Sequence, residues 1–146
     1  MKPYPVGHEL KLLVNRFESI ANRSLAPLGI TTSQAQLLII LNNSTDTMMP
    51  QKKLEAEVGA SQATVNGLIS RLAAKELVSL RRDEEDHRIN LVAMTLKGIE
   101  CSEKAFEILR ASEKEAFSGL DPEEISLLER LSATANSNIS HAVQRI

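Results

Sequence analysis

Tryptophan is absent from these 146 residues, and phenylalanine and tyrosine together number four. So few rings exclude base stacking along a single strand as the main binding mode. Cysteine occurs once, at Cys101, so neither an internal disulfide nor a CxxC metal knuckle can form. His8, His87 and His141 stand far apart, without ligand-like spacing, and each reads as a solvated side chain. No metal and no cofactor are expected. There is no glycine-rich phosphate loop, dinucleotide fingerprint, nucleophile elbow or HExxH pair, so no constellation supports an enzyme. The segment Met1-Lys2-Pro3-Tyr4-Pro5 lacks the apolar core of a signal peptide. The longest unbroken aliphatic run, Leu37 to Leu41, falls far short of a membrane span. These absences together predict a cytoplasmic protein with no membrane association.

A strong charge imbalance is missing too. The net charge is −2, which is not the signature of a generic nucleic-acid binder. Residues 1–48 and 49–98 each carry +1, whereas residues 99–146 carry five Lys/Arg against nine Asp/Glu. Binding to a polyanion would therefore rest on placed contacts more than on bulk attraction. A hydrophobic fraction of 42% over this length fits one folded domain with a real core. No internal repeat, low-complexity tract or linker interrupts it.

The periodicity is mostly helical. Leu10, Leu13, Val14, Phe17, Ile20, Ala21 and Leu25 recur at three-and-four spacing and predict a first helix over about 7–25, ended by Pro27 and Gly29. Thr31 with Gln34 forms a capping-box pattern and opens a second helix to about Asn42. Its centre is apolar all round, which places it in the middle of the domain. Asn43 to Thr47 is a polar loop. Pro50 suits the first turn of a third helix, on which Leu54 and Val58 share a face. Gly59 can take the left-handed backbone that ends it. Ser61 is a good N-cap for a fourth helix, whose stripe is Val65, Leu68, Ile69 and Leu72. The opposite side carries Ala63, Asn66, Gly67, Ser70 and Arg71, with Gln62 near the start. Asn and Gln pair with adenine edges, Ser with several bases, and Arg with guanine or phosphate. Ala63 and Gly67 would let a groove approach the backbone. On its own this is also what any amphipathic helix offers.

A period of two follows. Val78 and Leu80 alternate with polar neighbours over 77–82, and Ile89, Leu91 and Ala93 are expected on one face of a strand over 89–94. The tip between them is acidic, but Asp86 and Arg88 stand two apart and can pair. A paired Asp would aim the guanidinium, and Arg is favoured in narrow minor grooves. Glu84 and Glu85 read as a solvated turn. Thr95 then caps a long helix to about Ser118. Its apolar residues fall on two sides: Ile99, Phe106, Leu109, Ala116 and Leu120 on one, Cys101, Ala105 and Ile108 on the other. Gly119 breaks it, and Asp121-Pro122-Glu123-Glu124 restarts a last helix carrying Ile125, Leu128, Leu131, Ala135, Ile139, Ala142 and Ile146. The first and the last two helices hold more apolar surface than a small domain needs, and a second copy is the simplest partner.

At these residues the chain resembles the MarR family of winged helix-turn-helix transcriptional regulators, over essentially its whole length. The wing pattern matches at Asp86-His87-Arg88 and at Met94-Thr95-Leu96-Lys97-Gly98. The helix-turn-helix pattern matches at Leu54, Val58, Ser61, Thr64, Val65, Leu68 and Leu72. Three positions depart: Gly67 stands where a basic residue is common, Glu76 where Gly is, and Glu55 where Ala is. The resemblance implies a mainly α fold with a small β-wing, the winged helix-turn-helix over about 49–98, and dimerisation helices over about 7–28 and 95–146, all in one domain spanning 1–146. It also implies that the fourth helix enters a major groove and Arg88 a neighbouring minor groove. The expected DNA-contacting set is Ser61, Gln62, Thr64, Asn66, Gly67, Ser70, Arg71, Arg81, Arg82, Asp86 and Arg88.

The expected function is a sequence-specific DNA-binding regulator, a homodimeric repressor on an inverted-repeat operator in double-stranded DNA. The alternative is a winged-helix module that binds only protein. The resemblance further implies a small aromatic effector. Cys101, Ala105 and Ile108 are candidates to line its cavity, with Arg16 or Arg23 as a cation for a carboxylate; packed core and solvated arginines are the competing reading. Cys101 as a redox sensor competes with Cys101 as a small buried hydrophobe.

Overall fold

The computed structural model describes Lys2 and residues 5–143, in two compact units that divide after Ser112. The first unit holds α1 (Val6–Leu25), α2 (Thr32–Asn43), β1 (Met49–Pro50), α3 (Gln51–Val58), α4 (Gln62–Ala74), β2 (Val78–Arg82), β3 (Asn90–Met94) and the start of α5 (Leu96–Ala116). The second unit holds the end of α5 and α6 (Pro122–Val143). Among the described residues no single helix is long and apolar enough to cross a membrane.

Local chemistry sets most boundaries. A single 3-10 turn, Ala26–Leu28, follows α1 and closes on Gly29 at φ +70°. The capping box at α2 is complete: Thr31 Oγ1 accepts from the Gln34 N–H at 3.3 Å, and the Thr31 N–H donates to Gln34 Oε1 at 3.2 Å. Asn22 Oδ1 accepts from both the N–H and the hydroxyl of Thr32, at 2.7 and 2.8 Å, which joins α1 to α2. Lys75, just past α4, donates its ammonium to the Gly29 carbonyl and to Gln34 Oε1. The oxygen of the buried Gln34 side chain is thereby satisfied, and the end of α4 is tied to the α1–α2 junction.

The core forms around α2. Leu37 and Leu38 are fully enclosed, with Leu54 of α3, Val65 and Leu72 of α4, and Val92 of β3 packed around them. Ile39 and Ile40 are half-buried, so the helix is buried on most of its sides and not on all.

The sheet differs from the sequence expectation in two ways. It has three strands, in the order β1-β3-β2, all antiparallel. Pro50 is not in the first turn of α3: it is the N-cap and also the second residue of β1, opposite Leu91. Proline donates no ladder hydrogen bond, and an edge strand tolerates that. The second difference is the face of β3. Met49 and Leu80 oppose Val92, and Val78 opposes Met94. Val92, fully buried, and Met94 therefore look into the core, while Ile89 is exposed and Leu91 and Ala93 are half-buried. Leu91 to Met94 is apolar without a break, so a period of two fits either face, and only strand pairing decides.

The exit from the wing is tightly packed. Thr95 Oγ1 accepts from the Gly98 N–H at 3.0 Å and donates to the Glu76 carbonyl at 2.7 Å. A Cβ on Gly98 would lie 1.9 Å from the Leu77 carbonyl oxygen, so no side chain fits there. Glu76 itself sits at φ +60°, left-handed without being glycine. In the second unit Asp121 and Glu124 exchange side-chain-to-backbone bonds at 2.9 Å each, the cap predicted for α6. Ile146 lies outside the described residues.

Candidate nucleic-acid interface

Helices α3 and α4 meet at a sharp turn. Gly59 ends α3 at φ +69°, its N–H donating to the Glu55 carbonyl at 2.9 Å. Ser61 starts α4: its Oγ accepts from the Thr64 N–H at 3.3 Å and lies 3.0 Å from Thr64 Oγ1. Ser61 and Thr64 thus fix the entry to the helix. Val65, Leu68, Ile69 and Leu72 are buried, which turns Gln62, Ala63, Asn66, Ser70 and Arg71 to solvent. Gly67 is half-buried; a Cβ there would meet only Arg71 Nη1, at 3.8 Å.

The wing tip spends its acidic charge on itself. Asp83 Oδ1 accepts from the N–H groups of Glu85 and Asp86, at 2.8 and 3.0 Å, and folds the turn. Asp86 grips Arg88 by both oxygens: Nε to Oδ1 and Nη2 to Oδ2, each 3.0 Å, with the Arg88 N–H also on Oδ1 at 3.1 Å. The guanidinium and the backbone N–H of Arg88 hold the Asp86 carboxyl below the usual carboxylate range. The same pairing raises Arg88 above the usual guanidinium value. The Arg88 side chain remains 90% exposed, so its direction is fixed without its being covered. Arg82 Nη1 donates to the His87 carbonyl at 3.2 Å and braces the tip. Glu84 and Glu85 are exposed.

Two shallow grooves join helix to wing. One is lined by Gln51, Lys52, Gln62, Arg88 and Asn90, the other by Gln51, Asn66, Ser70, Arg81, Arg82 and Asn90. The structure therefore gathers Gln62, Asn66, Ser70, Arg81, Arg82 and Arg88 along one face. Arg71 is exposed on the same helix but lines neither groove. Gln51 and Asn90, shared by both grooves, were not among the expected residues. Asn90 opposes Arg82 across the ribbon, and the pairing, unlike the sequence, puts it on this face. Gln51 follows Pro50, and its position became readable only once Pro50 was seen to end a strand.

The residues expected to line an effector cavity belong to the core or pack against it. Ala105 is fully buried, and Cys101 and Ile108 pack against the core. Burial pushes the Cys101 thiol up, against the opposing pull of Lys104, Lys75 and Lys97, which favours the unreactive thiol form. A cavity does lie between α2 and α5, on the neighbouring side, lined by Ile39, Asn42, Asn43, Ser102, Phe106 and two carboxylates, Glu103 and Glu107. Arg16 and Arg23 are exposed on α1 and take no part in it.

The MarR family model matches residues 28–89. The HTH-type transcriptional regulator YdgJ of Bacillus subtilis is 32% identical over 113 residues, 77% of this chain and 68% of that protein. The HTH-type transcriptional repressor NicR of Pseudomonas putida is 31% identical over 93 residues, 64% of this chain and 58% of that protein. Among solved structures, BpsR of Bordetella bronchiseptica, whose DNA binding is described as regulated by 6-hydroxynicotinic acid, is similar with a TM-score of 0.81. It is 26% identical, over 90% of this chain and 98% of that one. MepR of S. aureus, solved as a DNA complex, shares the fold with a TM-score of 0.85 at 20% identity, over 93% and 99% of the two chains. The chain belongs to the MarR family of winged-helix transcriptional regulators.

Proposed function

We propose that this protein is a cytoplasmic, homodimeric repressor, and not an enzyme, that binds an inverted-repeat operator in double-stranded DNA and is released by a small aromatic effector. The observation that carries the DNA-binding role is the Asp86–Arg88 clamp: an arginine held by two oxygens yet open to solvent, on the same face as the polar side of α4. The polar side of α4 is read as the base-contacting surface and Arg81, Arg82 and Arg88 as contacts to the wing-side backbone and minor groove. Unpartnered apolar residues on α1 and α6, among them Leu10, Val14, Leu131 and Ile139, support the dimer. The regulation of BpsR DNA binding by 6-hydroxynicotinic acid supports a small aromatic acid as effector. The acidic rim of the α2–α5 cavity disfavours an anion at that place, so a carboxylate effector would bind elsewhere.

Titrating labelled duplex enriched from a random library, at two salt concentrations, tests the reading. Specific binding keeps a large advantage over random duplex as salt rises, because base contacts release no counterions. A protein that prefers no duplex is instead a protein-binding module. Calorimetry with 6-hydroxynicotinic and salicylate-like acids, with and without operator, tests the effector. Linkage requires operator to weaken effector binding by the factor by which effector weakens operator binding.

A further inference from the structure

Where the two grooves meet, three polar side chains touch in series. Gln51 directs Nε2 at two acceptors: Glu55 Oε1, one turn along α3 at 3.4 Å, and Asn66 Oδ1 on α4. Gln51 and Glu55 are half-buried and Asn66 is exposed. An amide can face either way, but an ionised carboxylate only accepts. Glu55 therefore takes the NH₂ end of Gln51 and not its oxygen. With one N–H directed at Glu55, the other meets Asn66, and only the oxygen of Asn66 can receive it. Both N–H groups of Asn66 and one lone pair of its Oδ1 are left for the groove.

We propose that Glu55, acting through Gln51, is a positioning residue that fixes the Asn66 amide in the order that reads adenine. The proposal rests on the DNA-reading role given to α4 above. Adenine presents the N7 acceptor beside the N6 donor in the major groove. An asparagine offering N–H beside oxygen, in one fixed order, complements that edge at one place along the groove. An amide free to turn over also offers the reverse order, oxygen where the N–H stood, and there a donor such as cytosine N4 satisfies it. The relay also accounts for a carboxylate where attraction to phosphate alone would disfavour one: Glu55 lines the same groove as Lys52 and Arg88. Its charge supplies a direction that a neutral side chain would not.

The test compares wild type, Glu55→Gln, Asn66→Ala and the double variant. Wild-type protein first enriches an operator from random duplexes, and each variant is then titrated against every single-base-pair change in it. Glu55→Gln keeps the shape of the side chain but can donate as well as accept, so Gln51 loses its orientation. The preference for adenine at one symmetric pair of positions should fall about tenfold, within the range for losing one bidentate base contact. Melting temperature and affinity for unrelated duplex should not fall. In the Asn66→Ala background, Glu55→Gln should remove no further discrimination. Undiminished adenine preference in Glu55→Gln overturns the proposal, and so does an equal loss with Asn66 already removed. A wild type that enriches no duplex overturns the DNA-reading role itself, and the relay with it.

Discussion

Glu76 holds a backbone conformation that its side chain opposes. At φ +60° a non-glycine residue costs about 1 kcal/mol relative to glycine. Its compensation is an exposed ion pair with Lys97 at 3.9 Å, and such pairs contribute little. Glu76→Gly should therefore raise the melting temperature by about 2–4 °C, read by calorimetry, and an unchanged or lower value would show that the Lys97 contact matters more than the strain. Gly98 is the opposite case. Its neighbour is the Leu77 carbonyl, backbone and unable to turn aside. Gly98→Ala should cost about 3 kcal/mol, the upper end for overpacking, seen as a shifted denaturation midpoint. At the wing, Asp86→Ala removes a negative charge yet should weaken operator binding, because Arg88 is no longer aimed. Simple electrostatics predicts tighter binding, and fluorescence anisotropy decides between them. The clamp is also robust to acid. The Asp86 pKa is depressed in the folded protein, so its contribution is complete above the ordinary carboxyl value of about 3.9 and is lost only as pH falls through the lower folded value.

The elements were legible where one physical signal had one solution. Capping residues at Thr31, Ser61, Thr95 and Asp121 and left-handed glycines at 59 and 119 mark helix ends by local bonding alone, and the Asp86–Arg88 pair needs only two neighbours in a hairpin. What was not legible depended on distant partners. β1 is two residues long and exists only through pairing with β3. The inward face of β3 could not be chosen from Leu91 to Met94, which are apolar on both faces. The proposed role of Gln51 depends on Asn66, fifteen residues away. The proposed recognition helix, α4, offers a test at this scale. Nothing in the free protein needs Gly67 to lack a Cβ, and glycine inside a helix costs about 0.5–1 kcal/mol relative to alanine. Gly67→Ala should stabilise the protein by that amount and still weaken operator binding, because the added methyl group keeps the groove from the backbone. A variant that gains stability and keeps full affinity would show that α4 docks by its long side chains alone.

At the scale of the whole molecule the question is where the unspent apolar surface goes. Leu10, Leu13, Val14 and Ile20 on α1 are 40–58% exposed, and Leu127, Leu131, Ile139 and Val143 on α6 are 46–65% exposed. Single exposed leucines need no explanation, but ordered stripes on helices at both ends of the chain do. The proposed two-fold dimer would cover them on both copies at once. It would also carry two reading helices, whose half-sites are expected about 34–36 Å apart, one turn of DNA. Because Leu131 and Ile139 are exposed in the protomer, its own fold does not depend on them. Leu131→Glu with Ile139→Glu should therefore leave the helical content of the protomer near its original value while light scattering reports a monomer. Operator affinity should then fall by at least about 100-fold, the lower bound for losing a second linked contact, with affinity for a single half-site little changed. A double variant that remains dimeric would place the interface elsewhere, and a monomer that keeps full operator affinity would show that one reader is enough.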